Sequence, residues 1–244
     1  MNIVAIIQAR RGSTRLPDKI FLELKQKSVI SHVVDRLLPS KKINKIVIAT
    51  TKNKLDDKLE LWAKENNIDI FRGDENDVLS RYYHSAVKFN ADIIVRITAD
   101  DPLKDYNIID NAIQLLLDKK IDFVCNNNPV SFPEGLDVEV MTFRALKKCF
   151  LEASTDYQKE HVTQYIHQNK NKFNYFNIMN NENLSSLRWT LDTEEDYIFI
   201  KEIYDNLYEK NKIFLTDDIL DFLNQNKKLL EINNKVNRSQ QYRN

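Results

Sequence analysis

Four cations, Arg10, Arg11, Arg15 and Lys19, fall within ten residues and enclose Gly12, Ser13 and Thr14. Positive side chains around residues that turn tightly and offer N–H and O–H donors form a cradle for a polyanion. The plain alternative is a solvated basic turn. Glycine usage argues against it. There are only 3 Gly in 244 residues, at Gly12, Gly73 and Gly135, so each is expected where a side chain or an ordinary φ would fail. Neither G-x-x-x-x-G-K-S/T nor G-x-G-x-x-G occurs, which excludes a P-loop and a dinucleotide fingerprint. Two acidic groups follow apolar runs: Asp100-Asp101 after residues 93–97, and Asp192 after residues 187–191. Carboxylates at strand ends of one sheet converge, and beside a triphosphate their hard oxygens hold Mg²⁺. The competing reading makes Asp100 and Asp101 caps of the Pro102 turn and Asp192 an acid favoured at a helix N-terminus.

The elements that would position these groups follow from periodicity. Residues 3–7 are a continuous apolar run rich in β-branched residues, the pattern of a strand buried on both faces of a parallel sheet. A loop leaving the carboxyl end of such a strand is where open α/β sheets bind ligands. The pattern predicts further strands over 45–50, 68–71, 92–97 and 121–125, alternating with helices over 29–38, 55–65, 77–89 and 107–117. This alternation implies a mostly parallel sheet with helices on both faces. Near Asn126 the alternation lapses. Strands are expected over 136–141, 173–178 and 187–191, and helices over 145–151 and 161–167. Thr193 to Asp196 has capping-box spacing and opens a helix to about Tyr208, with another helix over 216–223. The expected organisation is one domain over 1–232, with 126–180 as an elaboration and 233–244 as a polar, fraying tail.

Composition narrows the function classes. Lys+Arg and Asp+Glu balance at 36 each, so no global field attracts nucleic acid or an anionic membrane. The five apolar residues after Met1-Asn2 lack a basic leader and are too short for a span, which makes the cytoplasm the expected compartment. Cys125 and Cys149 have no zinc or redox spacing. His161 and His167, six apart, do not share a helix face and form no zinc pair. His32 and His84 are expected as packing or surface residues, and the Tyr82-Tyr83 pair as core and not a base-stacking platform.

The series Gln8-Ala9-Arg10-x-Gly12-Ser13-Thr14-Arg15-Leu16-Pro17-x-Lys19 resembles the signature loop of bacterial sugar cytidylyltransferases. These include the enzymes that activate 3-deoxy-manno-octulosonate and acylneuraminate and, most closely, the spore-coat polysaccharide group. Phe71-Arg72-Gly73, Asp77-Val78-Leu79, Arg81-Tyr82-Tyr83, Arg96-Ile97-Thr98 with Asp100, residues 132–140, Glu160-His161-Val162-Thr163 and Leu191-Asp192-Thr193 follow in order over about residues 1–210.

The resemblance implies a three-layer α/β/α nucleotidyltransferase fold, Rossmann-like and GT-A-like, and metal-dependent attack on the α-phosphate of CTP with release of pyrophosphate. It implies that Ala9, Arg10, Gly12, Ser13, Arg15 and Lys19 hold the triphosphate, with Arg72 near the base or ribose and Asp77 in the nucleotide site. Asp100 and Asp192 would bind Mg²⁺, with Asp101 the alternative to Asp100. The acceptor, a sugar or sugar-like molecule, is expected over Glu134, Asp137, Glu139, Glu160 and His161. A homodimer is implied through the segment after Asn126. Two other readings stand beside this one: a glycosyltransferase, disfavoured because the adjacent acids form no D-x-D, and a non-catalytic nucleotide-binding regulator.

Overall fold

The computed structural model describes residues 1–237. Strand β1 (Ile3–Gln8) runs through the centre because neither of its faces is solvated. Ile3, Ala5 and Ile7 enter one apolar layer, and Val4 and Ile6 the other. A small hairpin, β2 (Glu23–Leu24) and β3 (Lys27–Ser28), precedes α1 (Val29–Leu37), whose cap Ser28 accepts from the Ser31 N–H. Then come β4 (Lys45–Thr51), α2 (Asp57–Glu65), β5 (Asp69–Gly73), α3 (Val78–Lys88), β6 (Ile93–Thr98), α4 (Tyr106–Lys119) and β7 (Phe123–Cys125). Beyond Asn126 lie β8 (Glu139–Thr142), α5 (Phe143–Glu152), α6 (Asp156–Glu160), α7 (Gln164–Gln168), β9 (Tyr175–Asn177), α8 (Glu194–Leu207) and α9 (Thr216–Gln225).

The strands form one seven-stranded sheet in the order β5-β4-β1-β6-β8-β7-β9. All run parallel except β8, which is antiparallel to both neighbours. Helices α1, α2, α4, α8 and α9 bury their apolar faces on one side and α3, α5 and α7 on the other, giving three layers. The chain winds outward from β1 through β4 to β5, then crosses back to β6 on the far side of β1. The connections diverge there, which opens a crevice at the carboxyl ends of β1 and β6. Among the described residues no helix is long and apolar enough to cross a membrane.

Four expectations for the second half differ from the structure. Residues 187–191 form no strand beyond an isolated parallel bridge of Arg188 with Glu134, because their backbone is divided between two loops. Glu134 N–H donates to Leu187 O (3.0 Å), Trp189 N–H to Glu134 O (2.7 Å) and Leu191 N–H to Asp100 O (2.9 Å). The strand expected from 136 starts only at Glu139, since the Asn126 side chain occupies Leu136 O and Val138 N–H instead. The helix expected over 161–167 is broken: α6 ends in His161 as its cap, and α7 begins at Gln164. The tail does not start at Asn233, which is buried against α8; residues 238–244 lie outside the described residues.

Candidate active site

The crevice is a cleft of about 1260 Å³. On its β1 side, the loop after Gln8 is pinned by Arg11, which faces away from the cleft. Arg11 Nε donates to Asp18 Oδ1 (2.6 Å), its guanidinium to Leu55 O (2.8 Å) and its N–H to Asp56 Oδ1 (2.8 Å). Three of the four cations, Arg10, Arg15 and Lys19, therefore line the cleft with Ala9, Gly12 and Ser13, while the fourth anchors the loop. Asp18, left-handed at φ 55, turns the chain so that Lys19 points inward.

Lys19 lies between the two acids that sequence reasoning paired. Its Nζ is 2.6 Å from Asp100 Oδ2 and 2.8 Å from Asp192 Oδ1. Burial works against the charged form of Lys19, but the two carboxylates outweigh it and raise its pKa. Burial likewise opposes ionisation of Asp192, yet Lys19, Arg15 at 3.0 Å and Arg188 hold its carboxyl below the ordinary range. The Leu191–Asp100 backbone bond brings Asp192 beside Asp100, although 91 residues lie between them in sequence. Asp101 is excluded from this pair. It is buried on the Lys104 ammonium (2.9 Å) and the Thr98 hydroxyl, and burial pushes its pKa up.

Arg188, which sequence reasoning missed, organises the far side. Its guanidinium meets Glu134 Oε2 (2.8 Å), Asp192 Oδ2 (3.0 Å) and both oxygens of Asp196. An arginine inside the apolar run Leu187 to Leu191 is the signal that could have exposed it, because a charge in such a run must be paired. Glu139 is similarly occupied, by Arg96, the Thr163 hydroxyl (2.8 Å) and His167 (3.5 Å). Burial opposes its charge, but Arg96 and His167 hold its pKa well below the carboxylate range. Glu134 and Glu139 thus line the cleft as buried members of ion pairs. Asp137, Lys159, Glu160 and His161 line the same half. Burial lowers the His161 pKa.

Arg72 and Asp77 stand differently toward the cleft. Arg72, expected near the base or ribose, lies outside the lining of this cleft. On β5 its side chain turns toward α2 and binds Asp57 (2.7 Å), Glu60 (2.6 Å) and Thr51 O (2.9 Å). Asp77 lines the cleft while capping α3, its Oδ1 accepting from the Ser80 N–H at 2.7 Å.

The glycines differ in kind. At Gly135, φ is +104 and a Cβ would meet the Trp189 carbonyl at 2.7 Å, so the position demands glycine. A Cβ on Gly73 would strike the Arg81 side chain at 2.6 Å. At Gly12 a Cβ would meet nothing within 4 Å, so no protein contact explains its lack of a side chain.

The sequence pattern of the family described as Cytidylyltransferase matches residues 4–240. The chain is 32% identical over 232 residues to the spore coat polysaccharide biosynthesis protein SpsF of Bacillus subtilis, covering 92% of this chain and 95% of that one. A cytidylyltransferase from Leptospira borgpetersenii superposes with a TM-score of 0.90 at 36% identity, over 94% of this chain and 97% of that one. The CMP:2-keto-3-deoxy-manno-octonic acid synthetase complexed with CTP shares the fold at a TM-score of 0.65 and 16% identity, over 85% of this chain and 100% of that one. A three-layer sheet with its crevice between β1 and β6, and a match along almost the whole chain, place this protein in the cytidylyltransferase family.

Proposed function

We propose that this cytidylyltransferase transfers CMP from CTP to a sugar or sugar-like acceptor in a Mg²⁺-dependent reaction that releases pyrophosphate. The observation that carries this reading is the Lys19 ammonium between Asp100 and Asp192, under a loop that presents Arg10 and Arg15. An ammonium between two carboxylates is a stand-in for a metal cation, and hard oxygen donors suit Mg²⁺. Among the described residues no group of three or more potential ligands surrounds that point. Two carboxylates would leave the rest of such an ion's shell to phosphate oxygens and water. Asp100 and Asp192 would hold the metal, which when bound polarises the α-phosphate and neutralises charge.

The chain's own residues supply the rest. The open space at Gly12 lets phosphate oxygens approach the loop backbone, and Arg10, Arg15 and Lys19 hold the triphosphate. Negative charge grows on the departing pyrophosphate, and fixed cations aimed at it lower the barrier without reorganising. The acceptor lies over Gly135, Asp137, Glu160 and His161, in the half of the cleft opposite the cradle. Glu134 and Glu139 stiffen that wall through Arg188 and Arg96. His161, kept neutral by burial, is available to take a proton from a hydroxyl acceptor.

Pyrophosphate release, measured with CTP, Mg²⁺ and a panel of sugars, sugar acids and sugar phosphates, tests the proposal. Formation of a CMP-linked product supports it. Consumption of a nucleotide-sugar without pyrophosphate would establish a glycosyltransferase instead. CTP binding with no turnover on any acceptor would favour a regulator.

A further inference from the structure

Behind the paired carboxylates lies a contact made by a residue remote in sequence from the cleft lining. Asn233 is 4% exposed and follows the short turn Lys227–Glu231 after α9. Its side-chain amide donates twice, to Arg188 O and to Asp196 Oδ1, each at 3.0 Å. Asp196 is fully buried, and its other oxygen accepts the backbone N–H of Asp192 at 3.0 Å and of Thr193 at 3.1 Å. Arg188 meanwhile grips Asp192 Oδ2 at 3.0 Å. Asn233 therefore reaches Asp192 by two routes, one through the Arg188 backbone and one through the Asp196 carboxylate.

We infer that Asn233 is a positioning residue for the Asp192 carboxylate, so that the segment after α9 completes the metal side of the cleft from behind. The inference rests on the proposed role of Asp192 in holding the metal with CTP. A buried polar network holds its geometry only while every member is satisfied. Without the Asn233 amide, Asp196 Oδ1 keeps only the Arg188 Nε donor at 2.9 Å. Oδ2 keeps Arg188 and the N–H groups of Asp192 and Thr193, but the carboxylate and the Arg188 carbonyl each lose a donor, which loosens the N–H and guanidinium contacts that orient Asp192. Asparagine is the matched residue here: leucine has its size without donors, and aspartate would set a second carboxylate against Asp196.

The test titrates Mn²⁺ by electron paramagnetic resonance in the presence of CTP, on the full chain well below its unfolding midpoint. The proteins compared are wild type, Asn233→Leu, Asn233→Asp and the exposed control Asn234→Ala. We expect Mn²⁺ affinity to fall about tenfold in Asn233→Leu, the scale of one lost hydrogen bond to a charged group, and further in Asn233→Asp. Asn234→Ala should match wild type. Asn233→Leu leaves no unpaired polar atom on its own side chain and keeps the test open should Asn233→Asp not fold. A lowered thermal midpoint with unchanged Mn²⁺ affinity in Asn233→Leu would overturn the inference. Failure of wild type itself to bind Mn²⁺ with CTP would instead remove the proposed role of Asp192, and the inference with it.

Discussion

Lys19→Met keeps an unbranched stem but removes the ammonium that lies 2.6 Å from Asp100 and 2.8 Å from Asp192. At an effective dielectric constant of about 20, each contact amounts to roughly 6 kcal/mol of attraction. Desolvation of each buried ion offsets several kcal/mol of this, so the net effect is smaller than the sum. Removing one partner of a buried pair typically costs about 3–5 kcal/mol, because the charge left behind is uncompensated. Here Asp192 keeps Arg15 and Arg188 while Asp100 loses its ammonium, and a divalent cation between the two carboxylates is the natural replacement. Without nucleotide, the variant should therefore bind Mn²⁺ at least about tenfold more tightly than wild type, a gain of ~1.4 kcal/mol. At a metal concentration near 100 times Kd, binding restores about 2.7 kcal/mol. Thermal unfolding in chelator and in Mn²⁺ reads the effect. The variant's midpoint should be depressed in chelator and recover with metal, while that of wild type barely moves. Turnover should nevertheless fall by about 10²–10³, since the phosphates lose a fixed cation. Equal stability of the two proteins in chelator, together with equal Mn²⁺ affinity, would refute the idea that Lys19 neutralises this pair.

Asp100→Asn should abolish measurable metal binding with CTP in calorimetric titration, whereas Asp101→Asn should leave it intact and lower stability, because Asp101 serves Lys104 and Thr98. Gly135→Ala should destabilise by about 2 kcal/mol or more in denaturant unfolding, since φ +104 and the Trp189 backbone oppose a Cβ. Gly12→Ala should fold with wild-type stability but bind CTP more weakly; equal CTP affinity would show that the open space there is not used by phosphate. His32 is buried, its Nε2 2.7 Å from Leu24 O, and burial lowers its pKa. The unfolded chain then takes up a proton first, so this part of the stability is complete above the unfolded pKa of about 6.5 and is lost as pH falls through it. Unfolding free energies at pH 7.5 and about pH 5.5 should show the loss in wild type and a reduced loss in His32→Gln.

Much of this protein is legible without its structure because helices, strands and caps are local. The apolar run Ile3 to Ile7 announces a central strand, since only a strand buried on both faces lacks polar alternation. Thr193 and Asp196 announce the start of α8, since a capping box spans four residues. The cationic loop and the two acidic groups stand out by residue type alone. Which way each charge faces is a different matter, because it depends on partners far along the chain. Arg11 and Arg15 look equivalent in sequence, yet one grips Asp18 and the Asp56 turn while the other meets Asp192. Arg72 is drawn out of the cleft by Asp57 and Glu60, and Glu134 and Glu139 are drawn inward by Arg188 and Arg96. Residues 187–191 have strand-like composition, but the loops at Glu134 and Asp100 take their hydrogen bonds and so carry Asp192 to Asp100. The sequence alone determined the elements and the chemical groups available, through periodicity and side-chain type. Tertiary structure decided which groups became ligand-facing and which became supports, because a buried charge turns to the nearest opposite charge, and only folding makes that neighbour.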